Sequence, residues 1–235
     1  MKVVLITSLE NAFDRKLAAA FAHNDGQNEY KVYAIHGEEQ SAGPYTAARI
    51  DGVTLLPHDL TDAVHALQKD SGHIDIYIDV SDKRSPADDF TVRGVVNDKV
   101  IHELYEANVI RPMALLEAFL PLLEAGEGKR LCYITPAEAS INETRATDGF
   151  GYRMAKAALH NFLQITRNVL VPKGYTLRAY DPMQGKIPPE VPPEAAAEAA
   201  LNYFTRRRGI ERGDPLRDDE DNLVFRDAYG RQHPW

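Results

Sequence analysis

The stretch Lys2-Val3-Val4-Leu5-Ile6-Thr7-Ser8-Leu9-Glu10-Asn11-Ala12-Phe13-Asp14 opens the chain with an apolar run, a polar turn and the start of a helix. Residues 3–7 lack the polar alternation of a half-exposed strand, so they read as a strand buried on both faces. Residues 8–13 read as a turn, and residues 15–23 have helical character. The same unit recurs along the chain. Strands are predicted at residues 31–35, 53–57, 74–80, 131–135 and 175–180, and helices at 60–69, 101–125 and 151–170. Pro112 removes a backbone donor and is expected to bend the helix that contains it. Apolar strands that alternate with helices call for a parallel sheet covered on both faces. Right-handed crossovers then make it a doubly wound α/β sheet.

With 235 residues, one domain with one sizeable core is the expectation. A proline-rich and charged region, residues 183–222, interrupts the pattern inside that domain, with Pro188, Pro189, Pro192 and Pro193 ahead of an Ala-rich helix at 194–205. A short last strand is expected at 223–226. The net charge of −8 argues against a nucleic-acid partner. The one cysteine, Cys132, cannot form an intrachain disulfide and lies in an apolar run, where an inert buried thiol is expected. No metal site is expected, since the eight histidines lack ligand spacing. No apolar stretch reaches the roughly 20 residues that cross a bilayer, and no secretory signal is apparent, so a cytoplasmic protein without a membrane partner is expected. Leu115, Leu116, Phe119, Leu122, Leu159, Phe162 and Leu163 offer more apolar surface than one sheet face needs, which suggests a homodimer or homotetramer.

The sharpest chemical signal is Tyr152-Arg153-Met154-Ala155-Lys156. Residues four apart share a helix face, so the Lys156 ammonium is expected beside the Tyr152 phenol. A cation there favours the phenolate, lowers the tyrosine pKa and suits it to general acid–base work.

In context the chain resembles the short-chain dehydrogenase/reductase family along essentially its whole length. The residues that carry the resemblance are the opening strand–turn–helix, Asp59-Leu60-Thr61-Asp62, Asn108 in the long helix, the strand before Thr135, and Tyr152 with Lys156. The resemblance implies a Rossmann-type sheet that binds NAD or NADP and a small-molecule carbonyl or alcohol substrate. Tyr152 would give the proton, Lys156 would lower its pKa and hold the nicotinamide ribose, and Asn108 would hold a relay water. Ser140 stands twelve places before Tyr152, against the family's usual thirteen, and is the candidate catalytic serine; by strand position Pro136 takes that place, with Thr135 before it. Cofactor contacts would fall on Thr7, Ser8, Asn11, Phe13, Asp59, Leu60, Val80, Lys156 and Pro182.

The sequence departs from the family at the phosphate turn. Ser8, Ala12 and Asp14 stand where glycines bring the backbone close to a diphosphate. Asp14 would repel phosphate and is expected to cap the first helix instead. Asp79-Val80-Ser81-Asp82 replaces the family's Asn-Asn-Ala-Gly and adds negative charge beside the expected ribose. His36, at the end of the second strand, selects neither NAD nor NADP. Two functions follow: a nicotinamide-dependent oxidoreductase, or a non-catalytic relative that binds or scaffolds with impaired dinucleotide binding.

Overall fold

The computed structural model describes residues 1–23, 30–35, 49–183, 191–206 and 222–235. In chain order the elements are β1 (Lys2–Ile6), α1 (Ala12–Ala22), β2 (Tyr30–Ile35), β3 (Val53–Leu56), α2 (Leu60–Asp70), β4 (Ile76–Asp79), α3 (Asp98–Tyr105), a π turn (Glu106–Ile110) and α4 (Arg111–Ala125). Then follow β5 (Arg130–Ile134), a short 3-10 turn (Ala137–Ala139), α5 (Phe150–Leu170), β6 (Thr176–Asp181), α6 (Pro193–Thr205), β7 (Phe225–Asp227) and β8 (Gln232–His233). The strands form one sheet in the order β3-β2-β1-β4-β5-β6-β7-β8. All pairs are parallel except β7 with β8. The doubly wound α/β architecture expected from the sequence is the one observed.

Side-chain alternation splits the core into two layers. Val3, Leu5, Tyr77, Leu131 and Tyr133 point to the side of α4 and α5, against Phe119, Leu123, Leu159 and Leu163. Val4, Ile6, Ile76, Ile78, Cys132 and Ile134 point to the other, against Leu17, Phe21, Ala200 and Phe204 of α1 and α6. A period of two in strands, apolar at every position, produces this result. Cys132 is fully buried.

Three expectations need correction. The helix predicted at 101–125 is broken into α3 and α4 by the π turn. Pro112 has no N–H for the carbonyl four residues back, that of Asn108, and the ladder loosens one turn ahead of the proline. α1 begins at Ala12, and its cap is Asn11 rather than Asp14. The Asn11 side chain accepts the Asp14 N–H at 2.9 Å, while Asp14 Oδ2 accepts the Asn11 N–H at 3.4 Å, a reciprocal capping box. Third, Leu115, Leu116, Phe119, Leu122, Leu159 and Leu163 are buried in the core and Phe162 packs against it, because the sheet face consumes them. His36, Pro188, Pro189, Arg207, Arg208 and the charged stretch 209–221 lie outside the described residues.

The far end of the sheet closes on a tight backbone crossing. Asp75 accepts N–H bonds from Val3, Glu127 and Gly128 at 2.9, 3.1 and 2.9 Å. At Gly126 a β-carbon would sit 1.9 Å from the Ile74 carbonyl oxygen, a backbone atom that cannot rotate away. Gly126→Ala is therefore expected to cost at least about 3 kcal/mol, the upper end of ordinary over-packing penalties, read as a lowered urea midpoint. A change of a few tenths would show that the β4–β5 connection yields easily.

Candidate active site

Strand order reverses between β1 and β4, and the carboxyl ends of those strands open into a cleft of about 200 Å³ lined by Thr7, Asn11, Asp14, Val80, Asp82 and Arg111. Such switch points are where open α/β sheets take ligands. Thr7 and Val80 form the floor, with the Thr7 hydroxyl accepting the Val80 N–H at 3.0 Å. Ser8 and Glu10 also line the cleft.

Beside it, α5 presents Tyr152 and Lys156 on one buried face. The helix begins at Gly149, a left-handed position (φ 69°) with no side-chain cap of its own. A distant carboxylate supplies one: Asp88 accepts the Gly151 N–H at 3.0 Å and the Tyr152 N–H at 2.8 Å. These are free donors of the first helical turn.

The two side chains meet through Asp82. The Tyr152 hydroxyl donates to Asp82 Oδ1. Lys156 Nζ lies 3.3 Å from the same oxygen and donates to the Ser81 carbonyl at 2.5 Å. The Arg84 guanidinium stacks over the Tyr152 ring at 4.2 Å, lies 3.6 Å through Nε from Asp82 Oδ2, and bonds Glu138 Oε2 at 2.6 Å through Nη1. Burial raises the carboxyl of Asp82, but Lys156, then Arg84 and the Tyr152 hydrogen bond, outweigh it and hold the group below its ordinary value. The Tyr152 phenol moves the other way: burial and then Asp82 push it well above its ordinary value. The expectation that Lys156 lowers the Tyr152 pKa is thus reversed, because Asp82 stands between them and answers the lysine's charge.

Asn108 lies in the π turn, fully buried, and grips the segment after β4. Its Oδ1 accepts the Lys83 N–H at 3.0 Å, and its Nδ2 donates to the Lys83 and Leu104 carbonyls at 2.8 and 2.9 Å. Ser140 is buried, and its hydroxyl accepts the Glu143 N–H at 3.2 Å, while Tyr152 turns to Asp82. Thr135 is hydrogen-bonded to His160 Nε2 at 2.8 Å, and Pro136 leads into the 3-10 turn. Phe13 lies in the core, stacked on Tyr180 at 6.4 Å, so its ring is turned away from the cleft. Asp59 caps α2 through the Asp62 N–H at 3.0 Å, Leu60 packs on the core, and Pro182 is buried just after β6. Asp82 appeared in the sequence only as an obstacle; Arg84, Glu138 and Asp88 gave no local signal at all. No group of three or more His, Cys, Asp or Glu side chains fit to hold a metal lies among the described residues.

No protein-family model matches the chain, and no curated protein matches it in sequence. Solved structures do match it in fold. A short-chain dehydrogenase/reductase, so described, from Burkholderia multivorans with bound NADP is 18% identical, with a TM-score of 0.76 and full coverage of both chains. The carbonyl reductase Sniffer of D. melanogaster is 16% identical, with a TM-score of 0.77 over all of both chains. A carbonyl reductase from Pseudomonas aeruginosa PAO1 in complex with NADP is 18% identical, with a TM-score of 0.74, again over both whole chains. The fold is therefore that of the short-chain dehydrogenases/reductases.

That fold implies a nicotinamide dinucleotide; the Tyr152–Lys156 face beside the strand ends could hold its ribose end once Asp82 turned away, while side chains crowd the end where its diphosphate would lie. Asp82 fills the place between Tyr152 and Lys156. Asn11 already caps the α1 N-terminus, and the cleft that a diphosphate would enter is lined by Glu10, Asp14 and Asp82 as well as by Lys83 and Arg111. Asp14 Oδ1 is buried without a hydrogen-bond partner, and burial raises its carboxyl well above the ordinary value.

His160, edge-on to Phe225 and Trp235 at 5.3 and 4.8 Å, is pushed by burial and by Lys156 from 6.5 to about 4. Its folded pKa lies below its unfolded one, so its contribution to stability is full above about pH 6.5 and is lost as the pH falls toward 4. The loss should approach roughly 3 kcal/mol. Urea unfolding from pH 7 to pH 4 checks this, and His160→Gln should flatten the decline. Parallel slopes in the two proteins would contradict it.

Proposed function

We propose that the chain is an oxidoreductase of the short-chain dehydrogenase/reductase type, acting on a carbonyl or alcohol with a nicotinamide cofactor. One observation carries the reading. Tyr152 and Lys156 leave one buried face of α5 and reach a common point beside the strand ends, with Asn108 behind the segment that closes it. Burial and Asp82 hold Tyr152 in its protonated form, so the proton it would give to a carbonyl oxygen is in place, and displacement of Asp82 would leave Lys156 beside the phenol to ease its release. Ser140 is the serine of this reading: its hydroxyl accepts the Glu143 N–H and keeps its own O–H to donate.

The reading includes a cytoplasmic, single-domain protein that works as a homodimer or homotetramer. Support for self-association comes from exposed Ile110 and Met113 at the π turn and α4, and from Met154, Ile165 and Val169 on α5. A second reading, the non-catalytic relative, draws on Asp82, which occupies the point between Tyr152 and Lys156.

Two measurements test the function. Consumption of NADPH or NADH with carbonyl probes should be detectable, and Tyr152→Phe should lower kcat by about 100-fold or more while the fold is kept. A fully active variant would exclude the role of Tyr152. Calorimetry on the native chain should give a dinucleotide dissociation constant weaker than about 100 µM, roughly 5.5 kcal/mol of binding. Absence of both turnover and binding would support the non-catalytic reading.

A further inference from the structure

We infer that Tyr152, Lys156 and Arg84 form an anion site which Asp82 fills from within the chain, and that its incoming ligand is a 2-oxo acid whose oxygens replace those of Asp82. The inference rests on reading Tyr152 and Lys156 as the substrate-facing pair, and it names the substrate class.

The geometry is two-ended. Asp82 Oδ1 faces the Tyr152 hydroxyl and Lys156 Nζ, while Oδ2 faces Arg84 Nε at 3.6 Å. A 2-oxo acid carries a carbonyl oxygen and a carboxylate oxygen on adjacent carbons. With both on one edge, the carbonyl oxygen meets Tyr152 and Lys156, and the carboxylate oxygen meets Arg84. The carbonyl then lies against the phenol that would protonate it.

Charge selects the same class. Lys156 is fully buried, and Arg84 is paired on its other side to Glu138, whose side chain is 7% exposed. Removing Asp82 from this group leaves two cations against one carboxylate. A neutral ketone entering in its place would leave the buried ammonium with the Ser81 carbonyl and with Asp79, whose carboxyl burial raises, and a buried cation so weakly paired is strongly unfavourable. A monoanion restores the balance, and a planar guanidinium is suited to a carboxylate. Access is possible from the Asp82 and Arg84 side, whose side chains are 28% and 41% exposed.

The competitor is tethered, so it acts at millimolar or higher effective concentration and weakens any free ligand in proportion. Pyruvate, its methyl ester and butanone serve as probes, titrated by calorimetry into the native chain, Asp82→Ala and Asp82→Asn, without dinucleotide. Asp82→Ala should take pyruvate at least ten-fold more tightly than the native chain does. The same variant should take the uncharged ester and butanone at least ten-fold more weakly than pyruvate, and adding Arg84→Ala should erase that preference. Asp82→Asn keeps the side-chain volume and should show the same order if the alanine variant is unstable. On the native chain, saturating pyruvate should move the ring resonances of labelled Tyr152. Equal pyruvate affinity with and without Asp82, equal affinity for acid and ester, or an unmoved Tyr152 signal would overturn the inference. The titrations need no dinucleotide, so a separate assay with NADPH keeps the two readings apart: NADPH-dependent reduction of a neutral ketone by a chain that does not bind pyruvate would overturn the anion site and leave the oxidoreductase reading standing. Pyruvate binding without any NADPH-dependent turnover would do the reverse.

Discussion

Everything in this molecule follows from strands that are apolar on both faces. β1, β4 and β5 have no side that tolerates water, so helices must cover the sheet from above and below. Crossover handedness then places the reversal of strand order between β1 and β4. The cleft, the Tyr152–Lys156 face of α5 and the segment after β4 are brought together by that reversal, however far apart they lie in the chain.

Within the cleft, electrostatics replaces the space that glycines normally provide. Lys156 is buried, so some anion must answer it. Asp82 does so from the segment where the family pattern has glycine, and Arg84 and Glu138 extend the pairing across the Tyr152 ring. The same carboxylate that makes the buried lysine tolerable keeps Tyr152 protonated. Across the cleft, Asp14 is drawn into the first turn of α1, where the Asn11 cap and burial hold it.

The sheet was legible in the sequence because it depends on runs of adjacent residues. Val3 to Ile6 and Leu131 to Ile134 announce buried strands without reference to anything else. Helix ends were less legible: Asp14 was expected as the cap, but Asn11, three residues earlier, takes that place because an N-cap must precede the helix it satisfies. The i,i+4 pair was visible, while its controlling partner was not. Tyr152 and Asp82 are 70 residues apart, and Tyr152 and Asp88 are 64 apart, so only the completed topology joins them. The pKa direction at Tyr152 is illegible for the same reason: a pairwise rule for Tyr and Lys omits the burial that the packed fold imposes and, after it, a carboxylate delivered from another strand end.

The two-sided grip of Asn108 on Lys83 has a kinematic consequence. Val80 is fixed to Thr7 on one side of Asp82, and Lys83 is fixed to Asn108 on the other. Further along, Asp88 is tied down as the cap of α5. The backbone around Asp82 therefore has little freedom to swing as a flap, and Asp82 leaves its partners chiefly by turning its own side chain. Exchange between filled and vacant forms would then require Asp82 to break its contacts with Tyr152, Lys156 and Arg84 and rotate, without the backbone displacement of a moving lid. The gate would be one side chain wide and without a large change of shape.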